Sequence, residues 1–255
     1  MESTDWCGNR IEVAKSRGGV LAVADPWNNV IRTGMRPWPA PELVQKLYRS
    51  RQESAFEGPQ REIATSKLGF YSDLQSLHSE DAITWSIFGP VAYATPSIRS
   101  AFVKELLALI DVQGSPSNAR AWLWRRIPHP DDLVPGGPEI DFGIQTEDTF
   151  LLGEAKWRSS VGTAQGVKHD KDQMTLRQEF CQQYGPRLLA GIRHFVVLGL
   201  SSKGGIASRS DNQVGSALLH VRDTTWEAVA RFATHPCAEE VRMYLLWKTK
   251  NSRAE

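Results

Sequence analysis

Two apolar segments joined by a polar turn form the clearest hydrophobic pattern in the chain. The pattern spans 140–157, and its polar residues 145–148 predict the turn of a β-hairpin. Side chains alternate between the two faces of a strand, so Glu154 and Lys156 point the same way. Folding back at the turn brings Asp141 beside the end of the second strand. The pattern therefore predicts two carboxylates and one ammonium at one end of a sheet.

Amphipathic periodicity predicts three helices before this hairpin. The first covers about 41–57. The second begins after Ser79 as N-cap, with acidic residues in its first turn, and ends at Gly89-Pro90. The third begins at Thr95-Pro96 and carries a broad apolar stripe that indicates a core helix.

Strands and a helix are also predicted on both sides of the hairpin. Alternation over 119–127 predicts a strand that precedes it, so three strands form a meander. An amphipathic helix follows over 168–184, and the continuous apolar run at 191–200 is typical of a strand buried on both faces. The expected class is therefore α/β, with a mixed sheet flanked by helices.

The ends of the chain give weaker patterns. Residues 1–78 are expected to form an arm with helical content and one short strand at 19–24. Residues 79–200 are expected to form the core. Residues 201–255 are expected to form a flexible Gly/Ser-rich loop, a strand at 217–221 and a C-terminal helical cap, at 226–234 and 238–248, which buries Leu246 and ends in a basic tail that includes Lys248.

Composition narrows the class of protein. The 255 residues, 41% of them hydrophobic, suffice for one domain with additions, and the net charge of +1 excludes a strongly basic nucleic-acid-binding chain. Three widely spaced cysteines and scattered histidines do not match a disulfide framework or a zinc site. No apolar run reaches membrane-spanning length, so we expect a cytoplasmic protein that does not bind membranes.

The ionisable groups of the hairpin suggest a reaction. Carboxylate oxygens from separate strands, with room for water and phosphate oxygens, suit a hard divalent cation such as Mg²⁺ or Mn²⁺. A nearby lysine can orient an attacking water and offset charge on a phosphate. The predicted chemistry is metal-assisted phosphodiester hydrolysis.

The hairpin resembles the PD-(D/E)xK nuclease superfamily. Asp141 is followed, after a hairpin-length gap, by Glu154-Ala155-Lys156, which is the only Asp/Glu-x-Lys sequence in the chain. Ile140 replaces the usual proline before the aspartate, with Pro138 just upstream. The resemblance implies a restriction-endonuclease-like core of helix, three-stranded meander, helix and strand over about half of the chain.

The resemblance also implies roles for site residues. Asp141 and Glu154 would bind Mg²⁺ or Mn²⁺, and Lys156 would position and activate the attacking water. Glu80 would be a third metal-binding carboxylate, although it can equally compensate the helix dipole. Gln173 resembles a further motif residue on the following helix, or is an ordinary surface glutamine. Removal of Asp141 or Glu154 is expected to abolish cleavage and leave the fold intact.

The resemblance further implies that the partner is duplex DNA, cleaved to give a 3′ hydroxyl and a 5′ phosphate, in defence against foreign DNA or in DNA processing. A homodimer or a second protein would supply specificity. Arginines suit phosphate contacts, or protect an edge strand by charge. The candidate nucleic-acid-binding residues are Arg120, Arg125, Arg126, Arg158, Lys168 and Arg177.

Three other hypotheses remain open at this point. The first is an ordinary surface hairpin whose Glu154 and Lys156 form a same-face pair. The second is a non-catalytic or partner-activated nucleic-acid-binding subunit. The third is an RNase or a structure-specific resolvase on the same fold.

Overall fold

The computed structural model describes residues 1–15, 19–32, 36–47, 72–128, 130, 137–159 and 170–252. Contacts divide the chain into two compact units, Met1–Pro90 with Cys237–Glu255, and Val91–Pro236. These boundaries differ from the three predicted segments, because the first core helix begins in one unit and the last helix returns to it. No helix in the described part of the chain is long and apolar enough to cross a membrane.

The first unit contains a small antiparallel sheet where an arm with one short strand was expected. Its strands, in the order β1-β2-β3, are β1 Glu2–Thr4, β2 Arg10–Lys15 and β3 Leu21–Val23. Ile11 and Val13 are buried while Arg10 and Glu12 are exposed, which is the alternation of a strand with one face on a core. The predicted strand at 19–24 is confirmed as β3.

The described residues of the first unit also form helices. They are α1 Pro41–Leu47, the start of α2 Glu80–Tyr93, and α7 Ala238–Asn251, together with 3₁₀ turns at Pro26–Asn29 and Asp73–Gln75. The predicted remainder of the first helix, 48–57, lies outside the described residues. In α7, Leu246 is 72% exposed and Lys248 is buried, so both expectations for these residues were wrong.

Helix α2 begins as predicted but does not end at Gly89-Pro90. The Ser79 hydroxyl accepts a hydrogen bond from the Ala82 N–H at 3.1 Å, as an N-cap does. The helix continues through Pro90 to Tyr93. Buried apolar side chains surround the proline in sequence, and this packing offsets the one backbone hydrogen bond that a proline removes.

The second unit contains a mixed six-stranded sheet in the order β4-β5-β6-β7-β9-β8. Strands β4, β5 and β6 form an antiparallel meander, β7 is parallel to β6, and β9 is parallel to β7. Strand β8 pairs antiparallel with β9. The strands are β4 Arg120–Arg126, β5 Glu139–Gln145, β6 Thr149–Ala155, β7 His194–Ser201, β8 Ser210–Val214 and β9 Ala217–Thr225.

Among the described residues, this unit contains the helices α3 Pro96–Leu109, α4 Gln173–Gln183, α5 Gly185–Leu188 and α6 Trp226–Ala230. Met174 and Phe180 of α4 pack with Phe150, Leu152 and Phe195 of the central strands. Strand β6 is buried along its whole length, and β7 is buried beyond its first residue. The predicted α/β class is confirmed, and α4 lies over the face of the sheet that carries the site.

The Gly/Ser-rich segment after β7 is more ordered than expected. It forms β8 and turns into β9 at Gly215, whose φ of +62° is in the left-handed region. The Asp223 carboxylate accepts backbone hydrogen bonds from Gly205, Ile206 and Ala207. Pairing with β9 and hydrogen bonds to the Asp223 carboxylate order the backbone of this segment. Neither interaction can be predicted from its Gly/Ser-rich composition.

Candidate active site

The predicted hairpin brings Asp141 and Glu154 together. Phe142 is paired with Gly153, so the next positions, Asp141 and Glu154, lie opposite each other. The Ala155 N–H donates a hydrogen bond to Asp141 Oδ2 at 2.7 Å, which fixes the carboxylate against the end of β6. Gly153 permits this close pairing, because a Cβ there would lie 2.2 Å from the Phe142 ring.

Lys156 completes the predicted acid–acid–lysine set. Its ammonium lies 2.7 Å from Glu154 Oε1, so the two side chains share a face as strand alternation requires. Its backbone N–H donates to the Leu200 carbonyl at 2.8 Å, which continues the pairing between β6 and β7. The lysine is 9% exposed and its position is therefore closely defined by neighbours.

Arg177 is part of the site and not of the surface. It was a candidate for nucleic-acid contact, but its side chain is fully buried and forms an ion pair with Glu154 Oε2. The guanidinium also donates to the carbonyls of Gln173, at 2.8 Å, and Glu139, at 3.0 Å. Complete burial leaves no surface for a phosphate contact, so we correct its role to that of a partner of Glu154.

Burial and charge act on Glu154 in opposite directions. Desolvation and the nearby Asp141 carboxylate raise the pKa of Glu154 to about 7, although Arg177 and Lys156 favour the charged form. The site thus holds two carboxylates that repel each other and two cations that partly compensate them. A divalent cation between Asp141 and Glu154 would relieve the same repulsion.

The donor set fits Mg²⁺ or Mn²⁺ bound with substrate. Within the described residues, no group of three or more His, Cys, Asp or Glu side chains is arranged to hold a metal ion. Mg²⁺ commonly uses one or two carboxylates and completes its shell with water and phosphate oxygens. Asp141 and Glu154 on adjacent strands supply such a pair.

The other two predicted site residues have different positions. Gln173 is the first residue of α4, and its carbonyl accepts from Arg177, so it lies in the same unit as the site. Glu80 is in the first turn of α2 and belongs to the other unit. Its neighbour Asp81 forms an ion pair with Lys46 at 3.2 Å. The metal-binding role of Glu80 and the active-site role of Gln173 stay predictions.

The predicted basic patch lies mainly on an edge strand. Arg120, Arg125 and Arg126 are exposed on β4, which forms one edge of the described sheet. The Arg125 guanidinium lies over the Trp122 ring, 5.8 Å from its centroid, and Arg126 donates to the Gly137 carbonyl. These arginines are presented to solvent as phosphate contacts require.

Two further candidates for nucleic-acid contact, Arg158 and Lys168, follow β6 in the chain. Arg158 is exposed, with its guanidinium 5.5 Å from the centroid of the Trp157 ring. Lys168 lies outside the described residues.

Sequence reasoning missed the polar residues at the ends of β7 and β9. Glu154 pairs in register with Gly199, and Gly199 pairs with Asp223. Ser201 lies two residues beyond Gly199 and therefore on the same face. A parallel arrangement of β6, β7 and β9 would have indicated these positions, because the carboxyl ends of parallel strands meet at one edge of a sheet.

Comparison with known proteins adds no identification. No model of a protein family, no curated protein and no solved structure matches the chain.

Proposed function

We propose that the protein is a metal-dependent nuclease with a restriction-endonuclease-like core that hydrolyses phosphodiester bonds of DNA. The observation that carries the proposal is the juxtaposition of Asp141 and Glu154 at paired strand ends, with Lys156 at 2.7 Å from Glu154. A surface hairpin with an incidental ion pair would not bury Glu154 completely between two cations.

The order of elements supports the same proposal. Helix α3, the antiparallel meander β4-β5-β6, helix α4, the short helix α5 and strand β7, parallel to β6, follow one another along the chain. Apart from the added α5, this order agrees with the helix, three strands, helix and strand that the resemblance implies. The site lies where β5 begins and β6 ends.

Each residue of the site has a distinct task in the proposed reaction. Asp141 and Glu154 would hold Mg²⁺ or Mn²⁺, which supplies Lewis-acid stabilisation of the phosphate and lowers the pKa of a bound water. Lys156 would orient the attacking water and offset negative charge on the phosphate. Arg177 would hold the Glu154 carboxylate in place from the side of α4.

Substrate contact would involve the arginines of β4. Arg120, Arg125 and Arg126 are exposed, and arginine side chains bind phosphates without reading the bases. This favours a nucleic-acid substrate over a small phosphodiester. Duplex DNA is the proposed substrate, in defence against foreign DNA or in DNA processing, with specificity supplied by a second copy or another protein.

A substrate panel tests the proposal. Purified protein is incubated with supercoiled plasmid, linear duplex, single-stranded DNA and RNA, in Mg²⁺, Mn²⁺ or EDTA, beside Glu154→Gln. We expect cleavage of DNA that requires metal and is absent in the variant. Cleavage of RNA alone would move the assignment to a ribonuclease. Binding without cleavage by both proteins would contradict the nuclease and favour a partner-dependent subunit.

A further inference from the structure

Ser201, at the end of β7, has a buried hydroxyl. The residue is 6% exposed, and its Oγ has no hydrogen-bond partner among the residues that the structure describes. The next residue differs, because Ser202 Oγ donates to the Trp157 carbonyl at 2.6 Å. A buried hydroxyl without a partner costs free energy, so its presence calls for a reason outside the static fold.

The register of the sheet places this hydroxyl beside Lys156. Ala155 is paired with Leu200 in the parallel β6–β7 ladder, so the following positions are Lys156 and Ser201. The Lys156 N–H bond to the Leu200 carbonyl shows that the pairing extends this far. Paired residues of adjacent parallel strands share a face and lie about 4.8 Å apart. Ser201 therefore shares a face with Lys156 and Glu154.

The neighbour of Ser201 on its other side is already engaged. Thr225 is paired with Ser201 in the β7–β9 ladder, but its Oγ1 accepts from the Ala228 N–H as the N-cap of α6. Its hydroxyl serves the local fold. This leaves the Lys156 side of Ser201 as the place for an interaction.

A divalent cation on Glu154 would weaken the ion pair between Glu154 and Lys156. Its ammonium now lies 2.7 Å from Glu154 Oε1. If Glu154 held a divalent cation, its carboxylate would be a weaker acceptor for this ammonium, and a buried hydroxyl oxygen beside the ammonium could accept a hydrogen bond from it. We propose that Ser201 is a positioning residue whose hydroxyl accepts a hydrogen bond from the Lys156 ammonium when Glu154 binds the metal ion. The inference rests on the proposed nuclease function.

Enzyme kinetics give the first test. Ser201→Ala should lower kcat about 10- to 100-fold, in the range found for residues that support a metal site, with little change in KM. Its unfolding free energy should be equal to or above that of the wild type, because Ser201 Oγ makes no hydrogen bond among the described residues and its burial costs free energy. Ser201→Thr keeps the hydroxyl on a strand-compatible side chain and should restore most of kcat. Ser202→Ala, the matched control, should lose stability and keep kcat.

A spectroscopic test is independent of cleavage. The ¹⁵Nζ NMR signal of Lys156, assigned by its loss in Lys156→Met, is compared in four proteins: wild type, Ser201→Ala, Glu154→Gln and the double variant. Glu154→Gln weakens the resting acceptor and so imitates its engagement by metal. Ser201→Ala should move the signal little in the wild type and clearly in Glu154→Gln.

The outcomes separate the two proposals. Cleavage by the wild type with an unchanged kcat in Ser201→Ala would overturn the role of Ser201 and leave the nuclease standing. A wild type that cleaves no substrate would overturn the nuclease, and the NMR comparison would then decide the Lys156–Ser201 contact by itself. If Ser201→Ala shifted the ¹⁵Nζ signal of Lys156 equally in the wild type and in Glu154→Gln, the proposed contact between Lys156 and Ser201 would be overturned.

Discussion

Glu154 and Arg177 form an ion pair from which solvent is excluded on both sides. A charge in such a position is tolerated only because it has a partner, and removal of one member leaves the other uncompensated. Helix α4 is thereby tied to the strand end that carries the site. The ion pair therefore both stabilises the second unit and holds the Glu154 carboxylate in position.

Arg177→Met should lower the unfolding free energy by about 3–5 kcal/mol, because Glu154 loses one of its two cations in a buried setting. Urea denaturation followed by circular dichroism measures this change. Arg187→Met, on the exposed surface of α5, is the control and should change stability by less than about 0.5 kcal/mol. Equal stability of the two variants would show that the ion pair does not support the fold.

Glu154→Ala and Glu154→Gln should differ in stability, although we expect neither variant to cleave DNA. The alanine variant leaves Arg177 and Lys156 without their carboxylate and should lose about 3–5 kcal/mol. The glutamine variant keeps a hydrogen-bond acceptor of the same shape and should lose less. The sequence predicted an intact fold after removal of this carboxylate, and the buried pair changes that expectation. Thermal unfolding of both variants decides between an unchanged stability and the predicted loss.

Lys248 should give the first unit a distinct pH dependence. Burial lowers its pKa to about 7, and its ammonium nitrogen lies 3.5 Å from Asn29 Oδ1. An unfolded lysine titrates near pH 10.4, so between about pH 7 and 10 the unfolded chain binds more protons and stability rises with pH. Below about pH 7 Lys248 is protonated in both the folded and the unfolded chain, so its contribution to stability no longer changes with pH.

The comparison variant for this effect is Lys248→Met. The difference in unfolding free energy between wild type and variant should grow with pH by up to about 1.4 kcal/mol per unit within the window. Urea titrations at pH 7, 8 and 9 measure it, and groups that titrate in both proteins cancel in the difference. Parallel pH profiles would contradict a neutral buried lysine.

Gly199→Ala should destabilise the second unit. A Cβ at this position would lie 2.6 Å from Ile206 Cγ1 and 2.7 Å from Asp223 Oδ1, and Asp223 organises the turn after β7. Such overpacking costs about 1–3 kcal/mol. Urea denaturation measures the loss. An alanine variant as stable as the wild type would show that the turn moves away without cost.

The sequence predicted the part of the fold that depends on local alternation. The hairpin over 140–157 and the same-face pair of Glu154 and Lys156 follow from the two-residue period of a strand, and the structure contains both. Strand β7 followed from its continuous apolar run. In each case the pattern lies within 18 or fewer consecutive residues.

Long-range contacts account for what the sequence did not predict. The carboxylate partner of Arg177 lies 23 positions earlier in the chain, and helical periodicity only indicates that the arginine is on a helix. Strand β8 lies in a Gly/Ser-rich segment whose structure depends on the free edge of β9 and on Asp223. The first-unit sheet likewise needs its three strands to pair before Ile11 and Val13 are buried.

The rate of plasmid cleavage in Mg²⁺ by wild type and Asp141→Asn tests the central claim most directly. The amide oxygen of the substituted side chain can still accept from the Ala155 N–H, so the fold is kept while the charge for a metal is lost. Glu227→Gln, at an exposed carboxylate on α6, is the control. We predict cleavage by the wild type and the control, abolished by EDTA, and none by Asp141→Asn. Equal cleavage by all three proteins would contradict a metal-dependent nuclease site at Asp141 and Glu154.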